Sequence, residues 1–208
     1  MGILRAMIEE EWRLHADLFG GRRFGAFPAG VAVVSASSFW LLASMGTDTA
    51  AIAAGLHVLV GFFGLQVGTI GLVGRDAMRD VLGDVTLLVF SSRTLPVSWR
   101  RLLATFLLKD LLYYSGLFLA PIALAYAPVA LVTGDGVLAV LSLWVTLAGT
   151  FALGVSLSLA LVGLASYHGA LALVAGGLAT ATVVVSGVDP VALTPYGPFV
   201  DPTLGTAV

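Results

Sequence analysis

Five stretches of this chain are apolar for about the 20 residues that a helix needs to cross a hydrocarbon core of about 30 Å. They run over 24–45, 50–73, 111–132, 137–164 and 169–188. Inside lipid each must close its own backbone hydrogen bonds, so each is expected to be a helix rather than a strand. The fold class that follows is an all-α integral membrane protein of about five transmembrane helices, forming a single transmembrane domain. Composition agrees. Hydrophobic residues make up 59% of the 208, charged residues 11%, and the mean hydropathy is +1.02. A soluble domain carries about 25% charge, enough to cover its surface with polar groups. This chain does not, and an apolar outer surface is solvated only by lipid.

The basic residues orient the spans. Arg5, Arg13, Arg22 and Arg23 precede the first, and Arg75, Arg79, Arg93, Arg100, Arg101 and Lys109 lie between the second and third. These are all ten. The turn 46–49, the turn 133–136 and the tail 189–208 carry Asp48, Asp135, Asp189 and Asp201 instead. Alternate loops therefore sort by the positive-inside rule, which places the amino terminus in the cytoplasm, and the plasma membrane is the expected location. The early run Glu9-Glu10-Glu11 excludes a secretory signal, whose basic start passes directly into an apolar run.

Two segments are neither spans nor plain loops. In 3–19, Leu4, Ile8, Trp12, His15 and Phe19 recur at helical spacing, with Arg5, Glu9, Arg13 and Asp17 on the other side. This predicts an amphipathic helix in the cytoplasmic interface, ended by Gly20-Gly21, with Trp12 at headgroup depth. Glu11 falls inside the apolar arc and interrupts the pattern. The second segment, 74–110, aligns Asp76, Asp80 and Asp84 at four-residue steps. Pro96 follows, and Ser98 is placed to cap a helix starting at Trp99. Lys109 is expected to snorkel to the headgroups. It does not face its neighbour Asp110, so any partner must come from another helix. The tail 189–208 holds four of the eight prolines and reads as an external segment.

Chemistry-bearing motifs are few. With no cysteine and three scattered histidines, thiolate chemistry and a metal centre are not expected, and no cofactor is implied. The one lysine follows Leu108, so no phosphate-binding GxxxxGK[ST] loop exists and the chain is not expected to hydrolyse ATP. No basic stripe stands clear of acidic neighbours, which excludes nucleic acid as a partner. Catalytic residues are not expected. The fourth span carries Ser142, Thr146, Thr150, Gly154 and Ser158 at four-residue steps, and the second carries Gly64 and Gly68. Packing against another helix is the first reading of both sets, and lining a substrate path the second. His57 and Gln66 are the polar residues of the second span, each expected to face a helix or a cavity. The first, second, fourth and fifth spans hold no carboxylate, unlike an ion-driven pump.

This layout resembles the permease (transmembrane) subunit of the ABC type 2 transporter family. Members carry an amphipathic elbow helix, a two-span hairpin and a cytoplasmic segment with a run like "LL…tPvsrrrlllgKll". Here the run reads Leu87-Leu88-Val89-Phe90, then Leu95-Pro96-Val97-Ser98-Trp99-Arg100-Arg101-Leu102-Leu103, then Lys109. The resemblance covers the five spans and implies a subunit of an ATP-driven exporter, energised by a separate ATPase. It implies ATPase contact through 74–110, with Asp76, Arg79, Asp80, Asp84 and Arg93 exposed to it, and a second permease copy or homologue as partner. The family has six spans. The chain is therefore expected either to be cut before a sixth or to be completed by another polypeptide. A non-transporting anchor or regulator is the alternative.

Overall fold

A computed structural model describes residues 2–73, 99–133 and 136–167, with 174, 176 and 178. Every regular element among them is helical. Helix α1 spans Gly2–Leu18, and a 3-10 turn over Gly21–Ala26 leads into α2, Phe27–Ser44. Helix α3 is Thr49–Val73 and α4 is Trp99–Tyr114. A π-turn over Ser115–Leu119 joins α4 to α5, Ala120–Ala125, which is followed by α6, Ala127–Thr133, and α7, Gly136–Tyr167.

Local chemistry sets the ends. Gly20 and Gly21 take φ of 89° and 65°, which breaks α1 from the turn that follows. Gly46, at φ 84°, ends α2 in a Schellman motif: its N–H donates to Ala43 O and the Thr47 N–H to Leu42 O. Asp48 then starts α3, its side chain accepting from the Ala50 N–H at 3.4 Å. Pro121 has no N–H to return to the turn before it. There the ladder widens, and the Ala120 N–H bonds Ser115 O across five residues. The Trp144 indole of α7 donates to the same carbonyl at 3.2 Å. Pro128 lies in the first turn of α6, past a break at Tyr126.

Four helical runs are long and apolar enough to cross a membrane: Gly21–Ser44, Thr49–Thr69, Ala104–Val132 and Gly136–Leu161. On this length and composition the chain is a membrane protein. The third run begins within α4, seven residues before the expected start at Leu111, and so takes in Lys109 and Asp110. The expected fifth span, the tail 189–208 and the segment 74–98 lie outside the described residues, apart from helical 174, 176 and 178.

The core of the bundle includes Phe39 of α2, Val60 of α3, Leu119 of the π-turn, Ile122 and Ala123 of α5, Tyr126 at the break after it, and Leu143, Leu147, Phe151 and Val155 of α7. Helices α3 and α7 form its most extensive contact. Hydrogen bonds join His57 to Thr146 and Thr69 to Ser158, each pair 89 residues apart. A constant offset means that the two helices run parallel, so the run Ala104–Val132 must return the chain to the starting side between them. Glycine permits the approach. A Cβ on Gly64 would overlap the Phe151 carbonyl oxygen, and one on Gly154 the Gly61 carbonyl oxygen. One on Gly68 would lie 2.7 Å from Ser158 Cβ. Lipid tails are as apolar as leucine, so close van der Waals contact takes the place of hydrophobic drive. Gly64→Leu should therefore destabilise the protein by about 1–3 kcal/mol in detergent. Gly55→Ala, where the added carbon meets nothing within 4 Å, should change stability by less than about 0.5 kcal/mol. Thermal unfolding followed by circular dichroism checks both.

Candidate functional site

Two polar constellations occur among the described residues. The first lies in the seam between α3 and α7. His57 is fully buried. Its Nδ1 donates to the Ala53 carbonyl at 2.8 Å, which leaves Nε2 to accept the Thr146 hydroxyl proton at 2.9 Å. That hydroxyl also lies 2.9 Å from Ser142 O, its own helix's carbonyl. Thr150 bonds Thr146 O at 2.8 Å, and Thr69 and Ser158 share a hydrogen bond of 2.8 Å. The structure thus brings together His57, Gly64 and Gly68 of α3 with Thr146, Thr150, Gly154 and Ser158 of α7. Ser142 is half-buried one turn earlier. In this arrangement these residues fill each other's space.

Gln66 does not join them. Among the described residues it is exposed. The reason is its phase. Gly64 and Gly68 meet α7, and Gln66, two residues from each, lies about 200° round the helix.

The second constellation was not legible as a site. Lys109 of α4 is 4% exposed, and its ammonium lies 2.7 Å from Glu11 Oε2 of α1 and 2.6 Å from Asp110 Oδ1. Two expectations for this lysine are corrected. It does not snorkel to the headgroups, because two carboxylates meet it inside the protein. It also contacts its sequence neighbour, since the four-carbon stem is long enough to fold the ammonium back beside Asp110 Oδ1. The partner from another helix is Glu11, the residue that interrupted the apolar arc of α1. Phe106 covers the ammonium from its own helix, 4.7 Å from ring centroid to nitrogen.

Aromatic packing holds α1 in place around this pair. The His15 Nδ1 donates to Glu11 O at 2.9 Å, and its ring centroid lies 5.3 Å from that of Tyr113 and 5.8 Å from that of Phe24. Trp12 meets Phe24 edge-on at 5.0 Å. Phe24, Tyr113 and Leu117 form a second small core with Ile8, Ala16, Phe27 and Tyr114 around it. The outer face of α1 is separate. There Arg5 pairs with Glu9, and Arg13 with Glu10, in water. The hydrogen bond from Arg13 holds the Glu10 carboxyl below its ordinary range. Exposed pairs of this kind add little stability.

The residues expected to meet an ATPase, Asp76, Arg79, Asp80, Asp84 and Arg93, lie outside the described residues. Among the described residues no group of three or more His, Cys, Asp or Glu is placed to hold a metal ion. A crevice lined by Phe39, Ala43, Thr49, Ile52, Tyr126 and Val129 encloses about 10 Å³, room for roughly one water. No family model matches the chain, and no curated protein or solved structure matches it either.

Removing one partner of a buried ion pair leaves the other charges uncompensated. Lys109→Met should therefore cost about 3–5 kcal/mol, whereas Arg5→Gln, in an exposed pair, should cost less than about 1 kcal/mol. Unfolding of the two variants in the same detergent measures the difference.

Proposed function

We propose that the chain is the membrane-spanning permease subunit of an ATP-driven exporter of the ABC type 2 kind, energised by a separate ATPase and paired with a second permease. It sits in the plasma membrane with its amino terminus in the cytoplasm. The observation that carries the reading is the attachment of α1 to α4. A helix with one charged face and one aromatic face precedes the first membrane-crossing run and is held by Glu11–Lys109 to the helix that starts at Trp99. Such a helix lies well in the interface as an elbow.

Chain continuity supplies the mechanical logic. Residues 75–93, the proposed ATPase contact within the coupling segment 74–110, precede α4 in the sequence. A push on that segment by a closing ATPase is delivered to α4. From there it reaches α1 through the ion pair and α7 through Tyr114 and Phe151, whose ring centroids are 5.6 Å apart. The chain needs no catalytic residue of its own for this. A non-transporting anchor that gathers partners in the membrane is the other reading. It shares the topology but needs no ATPase.

Two measurements test the proposal. A cognate ATPase should copurify with the wild-type chain from detergent, and charge reversal at Arg79 and Asp80 together should reduce the recovered ATPase at least several-fold. Unchanged recovery would remove the coupling assignment. For topology, a single cysteine replacing Asp48 should react with an impermeant thiol reagent in intact cells, and one replacing Arg93 should not.

A further inference from the structure

The buried cluster between α1 and α4 carries unequal charge. Glu11 and Asp110 bring two carboxylates to the single ammonium of Lys109, all three within 2.7 Å contacts. With every group ionised, one negative charge is left over in a place where the Lys109 side chain is 4% exposed, that of Asp110 3% and that of Glu11 22%. An excess charge withdrawn from water is expensive, and taking up a proton removes it. A second observation marks where a proton is wanted. Asp110 Oδ2 and the Tyr113 hydroxyl are both buried without a hydrogen-bond partner among the described residues. An ionised Oδ2 there is an acceptor with no donor. A protonated one is not charged at all.

We propose that the Glu11–Lys109–Asp110 cluster is a proton-binding site that makes the docking of α1 on α4 depend on pH. The proton goes to the Asp110 carboxyl at Oδ2, the buried oxygen without a hydrogen-bond partner among the described residues. The other titratable groups at the site are His15 of α1 and Tyr113 and Tyr114 of α4. The 3-10 turn contributes Phe24 to this contact, α2 contributes Phe27, and α7 carries no Asp, Glu, Lys, Arg or His over Gly136–Tyr167.

The docked state holds a proton that the undocked state, with Glu11 in water, releases more readily. Docking is then strongest at low pH and weakens as pH rises. No part of this depends on the chain being a transporter.

The test uses the full chain in lipid nanodiscs. The sequence has no cysteine, so Leu18→Cys and Leu112→Cys, both at exposed positions, place two spin labels across the α1–α4 contact without background. Electron-electron distance measurements between about pH 4 and pH 8, a range that starts near the ordinary carboxylate value, give the ratio of docked to undocked α1. For the otherwise unaltered sequence the ratio should fall with pH, by up to tenfold per unit for one proton. Asp110→Asn deletes the excess charge and should flatten that slope to zero. If that variant fails to insert, Glu11→Gln removes the same excess from the α1 side and should also flatten it. A ratio constant across the range, or a neutralised variant that keeps the original slope, would overturn the proposal.

Discussion

An ammonium placed among apolar helices must be met by a carboxylate or left at a cost of several kcal/mol. Lys109 is met twice, once by Asp110 on its own helix and once by Glu11, 98 residues earlier. That second contact ties the amino-terminal helix to the bundle. Around it Trp12, His15, Phe24 and Tyr113 pack as rings against rings, so the position of α1 is held by one ion pair and an aromatic collar. From α4 the contacts run inward, through Tyr114 to Phe63 and Phe151. They end in the seam where α3 and α7 touch backbone to backbone.

The two kinds of contact answer different demands. Within the bilayer, helices gain nothing from hiding apolar surface from lipid, so α3 and α7 rely on closeness. Gly61, Gly64 and Gly68 face Thr150, Gly154 and Ser158, and hydrogen bonds from His57 and Thr69 fix the offset along the seam. At the α1 end the demand is electrostatic. A charged residue can be carried on a membrane-crossing helix when its partner is supplied from the flanking segment. Glu11 performs that service, and for it the apolar face of α1 carries one carboxylate.

The apolar runs were readable because length and hydropathy are local properties of the chain. The small-residue stripes of α3 and α7 were visible, but their pairing was not, since nothing in either stripe names its partner. Gln66 lies off the seam because polarity says that a residue wants a partner, whereas helical phase decides which way it points. The Glu11–Lys109 contact was hidden by sequence distance. Two signals for it existed: a glutamate out of place in an apolar arc, and the chain's one lysine inside an apolar run. Read together they describe a buried pair. The π-turn at Ser115–Leu119 had its cause in view at Pro121, but a proline alone does not say whether a helix kinks, breaks or widens.

In the proposed transport reading, α4 is the element that a cytoplasmic partner would push, and its contacts lead to both α1 and α7. The linkage between α1 and α4 is the account's central claim, and a charge swap tests it most directly. Glu11→Lys and Lys109→Glu each place like charges together, and each alone should destabilise the protein in detergent. The double variant restores an opposite pair and should be more stable than either single one. If the two losses simply add in the double variant, Glu11 and Lys109 do not meet and the linkage is wrong.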